Sequence, residues 1–428
     1  MATNEIEDSP NQDLEIPTWI NAEFFGDILK KDEPDHVKVV KFTPIAAIPP
    51  GENFTSIMVR VCMTLQMKDG SQKPKSYILK TTLDNERGGN VFQELNFFIK
   101  EREMYRKYIP EFEALYRAAG REIQIAPKCL FTETSGERIN IVFEDLKPKK
   151  FINIDRLTGF DMPHMRRVLQ KLAEMHAASA VWHERNGPFP KEFQYGFMSG
   201  NTDHKFHKTL FELKLKALKD AMPTWGLEEV DKYIKKLPTF EQFFNCGLRS
   251  MESDPNGFNV LNHGDFWSSN VMSNYLPGGD INEVLLVDYQ ICKWGSPAQD
   301  LLFFITISAA NDIRIKEYDH FVEIYYEHLI DCLKVLKLKK PLPKLRDIQM
   351  DMYKENNIFY AFFAVFNHLS VIMLPTDKDS NLHSMMRDDE FGYKFRMRAL
   401  MNPRYIEAAM ALFPFYHRRG LFDFEAYN

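Results

Sequence analysis

Paired cysteines are missing from this chain. The five it has in 428 residues (Cys62, Cys129, Cys246, Cys292 and Cys332) are scattered, with no C-x-x-C pair, which fits a reduced, intracellular setting. A membrane-spanning run is missing too. The longest apolar stretch, YAFFAVFNHLSVIML at 360–374, carries Asn367 and His368 and stops at Pro375, too short to cross a bilayer. No secretory signal is expected, because the start, MATNEIEDSPNQDLEIP, is acidic and polar. Nor is there an excess of positive charge. The net charge is −6 and the pI near 6.1, so nothing predicts a nucleic-acid partner. The short lysine runs LKLKALKD (213–220) and LKVLKLKKPLPK (333–344) read as solvated helix faces. Internal repeats and low-complexity tracts are absent.

What remains is globular: 44% hydrophobic and 27% charged residues. The 35 Phe and 17 Tyr supply large aromatic cores. A chain of this length exceeds one ordinary core, so two lobes are expected. The ordering of patterns supports that. Residues 1–35 read as a tail and a helix, PTWINAEFFGDILKK, with apolar positions at Trp19, Ile20, Phe24 and Ile28. Strand-like runs follow at 37–48, 56–67 and 76–82, the last two separated by KDGSQKP, whose KDG signals a hairpin. A helix is expected over about 91–108, then two further strands in APKCLFTE and INIVFEDL. This gives a β-rich lobe over 36–146. From 147 to 428 the text is mainly helical, with a helix opening at Asp161–Pro163 and running to about 184. The fold class expected is α+β: a small antiparallel β lobe carrying one helix, and a larger helical lobe.

One loop does not belong to a folding argument. LNHGDFWSSNVM (261–272) places Asp265 five residues before Asn270, and a strand ending in Val-Asp puts Asp288 eighteen residues after the asparagine. Phosphoryl transfer needs an oriented nucleophile and neutralised phosphate charge more than covalent help. An aspartate beside a hydroxyl can receive its proton, and Asn and Asp oxygens suit Mg²⁺. Asp265, Asn270 and Asp288 fit those three roles in order. Such chemistry also asks for a phosphate-contacting lysine on the third strand, and SYILKTT supplies Lys80. In the following helix Glu101 falls within the stripe of Phe97, Met104, Tyr105 and Tyr108, so it faces inward and wants a cation, for which Lys80 is the candidate. No G-x-G-x-x-G is present. A loop with the single glycine Gly51, and with Asn53, Thr55 and Ser56, is what could meet the phosphates. His176 reads as a core histidine. His204 and His207 have metal-like spacing but no third ligand, and RDDE at 387–390 reads as a solvated loop.

The segments LNHGDFWSSNVM, VDYQICKWGSPAQDL, VFEDL, KLAEMHAASA and GENFTSIMVRV together resemble the ecdysteroid kinase-like (CHK kinase-like) family, over about residues 40 to 415. That family lies in the aminoglycoside phosphotransferase and choline kinase branch of the protein-kinase-like fold. The resemblance implies ATP and Mg²⁺ as cofactors, Asp265 as catalytic base and Asn270 and Asp288 as metal ligands. It puts Lys80 on the ATP phosphates with Glu101 behind it, and makes Glu144–Leu146 the hinge for adenine. It also gives Trp267, His263 and Asp300 supporting roles, and makes a single-glycine loop normal. The function it implies is phosphorylation of a hydroxyl on an ecdysteroid or a hydroxylated xenobiotic, a cytoplasmic, detoxifying kind of reaction with no membrane partner. A choline- or aminoglycoside-type kinase and a non-catalytic ATP-binding scaffold are the competing readings. Nothing in the sequence specifies an oligomeric state.

Overall fold

Alternation of apolar side chains along SIMVRVCMTLQM dictates the longest strand of the protein, and the small sheet is built around it. The computed structural model describes residues 16–48, 56–82, 96–136, 138–199, 204–375 and 382–427. Strands β1 (His36–Ala46), β2 (Ser56–Met67), β3 (Gln72–Thr82), β4 (Cys129–Ser135) and β5 (Arg138–Glu144) form one sheet in the order β1-β2-β3-β5-β4. Every neighbouring pair is antiparallel. The expected KDG hairpin is there: Gly70 takes a positive φ of 84° and its N–H donates to the Met67 carbonyl at 3.0 Å. On one face Ile57, Val59, Val61, Met63 and Leu65 of β2 join Tyr77, Leu79 and Val142 against Ile20, Phe25, Ile28 and Leu29. Each such side chain contributes about 1.5–3 kcal/mol through burial. The alternation therefore turns Ile78 and Lys80 of β3 to the other face.

The helix expected over 17–31 forms only at Gly26–Asp32. Upstream, the Asn21 side-chain oxygen accepts the N–H groups of Glu23 and Phe24, each at 3.1 Å. That local Asx turn competes with helical hydrogen bonding, so the apolar stripe packs without a helix to carry it. The helix expected to end near 108 does the opposite and continues: Phe97–Glu103, a π-helical turn at Met104–Tyr108, then Ile109–Ala118. Pro110 lacks the N–H an α-helix interior needs. The wider π turn just before it relieves that conflict, which a periodic reading of the sequence does not foresee.

By proximity, the described residues of Met1–Phe92 and Pro127–Pro148 form one compact unit, and those of Gln93–Ala126, Lys149–Pro375 and Leu382–Asn428 a second. The helix beginning at Phe97 thus clusters with the larger unit, whereas contiguous ranges assign it to the sheet. The larger unit is mainly helical. Its longest helix, Met162–Asn186, starts where the Asp161 carboxylate accepts the His164 N–H at 3.1 Å, and it packs along the helix Tyr318–Val335. Two short ladders interrupt the helices: β6 (Val260–Asn262) with β9 (Lys293–Gly295), and β7 (Val271–Tyr275) with β8 (Ile281–Leu286). The helix Ala298–Ser308 is buried along its whole length. Among the described residues no helix is long and apolar enough to cross a membrane, and all five cysteines are unpaired.

One lysine departs from expectation. The run 213–220 reads as a solvated face, yet Lys214 is only 2% exposed, and its Nζ donates to the Asn367 carbonyl at 2.7 Å. Asn367 lies in a second π-helical turn, Ala364–Leu369, where main-chain carbonyls lose their regular partners. Burial pulls the Lys214 amine down to about 7. The unfolded chain then holds this proton more tightly than the folded one between about pH 7 and 10.5, and stability rises with pH across that window. Replacing Lys214 with Met is expected to reduce the slope of unfolding free energy by about 1.4 kcal/mol per pH unit between pH 7.5 and 9.5. Urea titrations at several pH values would read this, and an unchanged slope would mean that the amine keeps its proton when buried.

Candidate active site

The HGD loop is placed by the ladder before it and the helix after it. Strand β6 delivers His263, and Gly264 follows with φ +84°, where a Cβ would collide with the Ile291 carbonyl oxygen. Only glycine fits so close a backbone approach. Phe266 is fully buried, its ring tilted against Phe304 at 4.6 Å and lying near the His263 ring at 5.6 Å. Trp267, expected to support the loop, is only half-buried, so Phe266 is the deeper anchor. The Ser268 N–H donates to the Ser308 hydroxyl at 3.1 Å, and Asn153 donates its amide to the Ser269 and Val271 carbonyls at 2.8 and 3.0 Å.

Asp300 holds the loop from the following helix. Its carboxylate accepts the backbone N–H of His263 at 2.6 Å and of Gly264 at 2.9 Å. The His176 Nε2–H donates to it at 3.1 Å, while Nδ1 of the same ring accepts from the Tyr325 hydroxyl at 2.7 Å. His176 is therefore a core histidine with both nitrogens engaged, and its positioning of Asp300 is a link that spacing alone does not reveal. The His263 Nε2–H donates to the Val287 carbonyl at 3.0 Å. Burial holds that imidazole below its usual range, so it is neutral, with Nδ1 enclosed and unpartnered.

The three residues of the expected phosphotransfer set come from this loop and the hairpin next to it. The Asn270 amide donates to the Asp265 backbone carbonyl at 2.8 Å and to its carboxylate Oδ2 at 3.0 Å. That bond fixes which way the asparagine points and leaves its Oδ1 with no donor among the described residues. The Val287 N–H donates to the Asn270 carbonyl at 3.0 Å, continuing the β7–β8 ladder and putting Asp288 at its end. Asp288 has a left-handed φ of 69°, so the strand geometry stops there. Such a conformation costs about 1–3 kcal/mol for a non-glycine residue and persists only where surroundings impose it. The buried Tyr105 hydroxyl, on the π turn of the Phe97 helix, accepts from the Asp288 backbone, and its ring meets Tyr289 edge-on at 5.3 Å. Tyr105 was read in the sequence only as part of an apolar stripe. Its second use follows from the π turn.

Of the residues expected to meet ATP, Gly51, Asn53 and Thr55 lie outside the described residues, and Ser56 opens β2, buried. Lys80 sits in β3 opposite Met58 of β2 and Ile141 of β5, 3% exposed, so it is not a solvent-facing strand lysine. Glu101 is 1% exposed on the Phe97–Glu103 helix of the larger unit. Along the hinge stretch, the Glu144 N–H is taken by the Lys128 carbonyl at 3.0 Å. Asp145 is locked by Arg60 at 2.9 Å, by Ser76 at 2.8 Å and by the Lys147 N–H at 3.0 Å. The N–H of Leu146 has no partner among the described residues, which leaves a main-chain donor on the segment expected to meet adenine.

Other candidates are absorbed by structure. His204 approaches Glu241 at 3.4 Å and His207 packs on Phe197, and among the described residues no three His, Cys, Asp or Glu side chains form a metal site. Mg²⁺ is not held in that way. It takes one or two protein oxygens together with substrate phosphates, and Asn270 Oδ1 and Asp288 are hard oxygen donors of that kind. In the RDDE stretch, Asp389 caps the helix Glu390–Leu400 by accepting the Gly392 N–H at 2.9 Å and pairs with Arg387.

The model of the ecdysteroid kinase-like family matches residues 50–338. No curated protein matches the chain. Among solved structures, a fructosamine-3-kinase candidate from Haemophilus somnus 129PT is similar at 11% identity and a TM-score of 0.31, over 78% of this chain and 95% of that one. An aminoglycoside-3'-phosphotransferase of type VIII is similar at 12% identity and a TM-score of 0.33, over 78% of this chain and 96% of that one.

The anchoring geometry carries its own prediction. Asp300→Ala removes the acceptor of two main-chain N–H groups and of a buried ring, and should lower unfolding free energy by about 3–5 kcal/mol. Asp300→Asn, which keeps one oxygen, should cost less. Urea unfolding of the two variants checks the order; a loss under about 1 kcal/mol in the alanine variant would show that the loop closes without this carboxylate.

Proposed function

Since the chain belongs to the ecdysteroid kinase-like family, we propose that it is an ATP-dependent small-molecule kinase that phosphorylates an alcohol, with an ecdysteroid or a hydroxylated xenobiotic as acceptor. The observation that carries the reading is the Asn270 amide bound to both the backbone and the carboxylate of Asp265. A carboxylate held in this way is oriented before substrate arrives. It would accept the proton of the acceptor hydroxyl as that oxygen bonds to the γ-phosphorus of ATP. The bond from phosphorus to the ADP oxygen breaks, ADP leaves with that electron pair, and the product is a phosphate monoester. Positioning and proton removal of this kind contribute about 10²–10⁴-fold.

Asn270 through Oδ1 and Asp288 are the residues assigned to hold Mg²⁺, which when bound would neutralise phosphate charge. Lys80 is assigned a phosphate contact, the N–H of Leu146 a hydrogen bond to adenine, and Asp300 and His263 the upkeep of the loop. A cytoplasmic site and a detoxifying role suit a consumer of ATP with five free thiols. That assignment, like the choice of acceptor, belongs to the proposal.

The test is ADP release by the purified protein with Mg²⁺ and ATP, against ecdysone, hydroxylated plant compounds, choline and an aminoglycoside. Asp265→Asn is expected to slow turnover by about 10²–10⁴-fold while leaving ATP affinity within about twofold. Chelation of Mg²⁺ should abolish turnover in both proteins. An Asp265→Asn variant as fast as the parent would remove the base assigned here, and failure of the parent to bind Mg-ATP would remove the kinase reading altogether.

A further inference from the structure

The lysine-rich run at 333–344 reads as a solvated helix face, but the structure breaks it in two. The helix Tyr318–Val335 stops, and a loop over 336–344 crosses to the helix Leu345–Asp351. The turn closes where the Leu338 N–H donates to the Leu333 carbonyl at 3.0 Å, with Lys337 in the left-handed region at φ 59°. Glycine is usual at such a position, yet a lysine takes it here. Glu184 of the helix Met162–Asn186 then holds the loop. Its two carboxylate oxygens accept the N–H groups of Lys339 and Lys340 at 2.9 and 2.8 Å. Arg185 donates to the Leu336 carbonyl at 2.6 Å, and Pro343 is buried. The backbone is fixed, and what it presents to solvent is charge.

Lys334, Lys337, Lys339, Lys340, Lys344 and Arg346 are all exposed, in a chain whose net charge is −6. Among the described residues only Arg346 of these six has an ion pair, with Asp347 at 3.3 Å. The helix end accounts for Lys334 and Lys337, since cations there meet its unpaired carbonyls. It does not account for Lys339, Lys340 and Lys344, which lie beyond it. Their field is felt nearby: burial, and after it the Lys340 charge, holds the His183 imidazole below its usual range. Like charges gathered this closely repel, and an anionic surface relieves that repulsion. Leu342 stands among them, 36% exposed. Lys340 and Leu342 each precede a proline, which disfavours a helical turn that would fold either side chain away.

Charge and apolar tip together select the occupant. A nucleic acid or a polyacidic segment answers the lysines and leaves Leu342 unused. An anionic bilayer answers both, because its headgroups meet the ammonium groups while a leucine reaches the acyl boundary. Lysine suits that geometry, with an apolar stem and a head that stays in headgroup water. Among the described residues no helix can cross a membrane, and none is needed for a contact that rests on its surface. Anionic lipid lines the cytoplasmic leaflet, the side on which the proposed setting places the protein.

We propose that the loop 336–344, with Lys334 and Arg346 at its ends, is a peripheral docking surface for an anionic lipid bilayer. The lysines draw the protein to the headgroups, and Leu342 enters between them. The contact is reversible, sensitive to salt and independent of the phosphotransfer chemistry.

The test is co-flotation of the full chain with phosphatidylcholine vesicles, alone or with about 30% phosphatidylserine. Wild type is expected to float with the mixed vesicles at about 0.05 M salt, to leave them at about 0.5 M, and to ignore the neutral ones. Each lysine near such a surface contributes about fivefold to partitioning, so Lys339→Gln, Lys340→Gln and Lys344→Gln together should weaken binding about 100-fold. The same three changed to Arg should stay within about threefold of wild type. Leu342→Gln should weaken binding about 3–10-fold. Lys205→Gln, Lys216→Gln and Lys219→Gln, exposed on the helix His204–Ala221, remove equal charge elsewhere and should change it less than about threefold. Wild type that does not float, or that floats equally with neutral vesicles, would overturn the proposal. So would a control triple that loses as much as the loop triple. An unchanged Leu342→Gln, or retention on heparin without flotation, would reassign the loop to a soluble polyanion.

Discussion

A carboxylate enclosed as completely as that of Asp300 would be expelled by the protein interior unless donors surrounded it. Two adjacent main-chain N–H groups and one imidazole do so, and the dependence runs both ways. The HGD segment has to bend sharply, with Gly264 left-handed against the Ile291 carbonyl, and a bend of that kind exposes main-chain donors that need an acceptor. Asp300 meets this need from a helix that is itself buried on every side. Because His176 and Tyr325 continue the chain of bonds into two further helices, the loop inherits the rigidity of the larger unit's core. The geometry at Asp265 thus begins with a residue outside the loop that carries it.

The other half of the constellation is fixed differently, by ladder hydrogen bonds and by a strained residue. Asn270 is held from within its own loop, through Asp265, and across the hairpin, through Val287. Asp288 is held in a conformation that aspartate tolerates better than most residues. The buried Tyr105 hydroxyl supports that backbone, and it can do so because a π-helical turn carries it there. Two π turns occur among the described residues, one carrying Tyr105 to the Asp288 backbone and one presenting the Asn367 carbonyl to Lys214, which agrees with the tendency of such turns to mark places where a helix departs from regular packing.

Much of this was legible in the amino-acid pattern, and the exceptions share a cause. Strict alternation in β2 and β3 gave the sheet and set Lys80 on the face of Ile78; its burial is seen only in the structure. The spacing of Asp265, Asn270 and Asp288 gave the set that the structure brings to one loop and hairpin. What escaped were choices made by single side chains against the periodic signal: Asn21 unwinding a helix that the stripe around it favoured, and Pro110 tolerated by a π turn. Lys214 was misread for a related reason. Charge is a guide to exposure only when no carbonyl waits inside. The bond from His176 to Asp300 joins residues 124 positions apart, and no local window contains both. The phosphate loop expected at Gly51, Asn53 and Thr55 lies outside the described residues and enters none of these comparisons.

The β7–β8 hairpin separates two distances that a motif confounds. Along the chain Asn270 and Asp288 are eighteen residues apart, but across the ladder Val287 faces Asn270 directly. The intervening length is the two paired strands and an exposed tip at Leu276–Asp280, closed by its own main-chain bonds. A relative that gained residues at that tip would keep the pairing of Val287 with Asn270 and lose the spacing. One that kept the spacing while its pairing slipped by a residue would display the same letters with the asparagine and aspartate on the wrong faces.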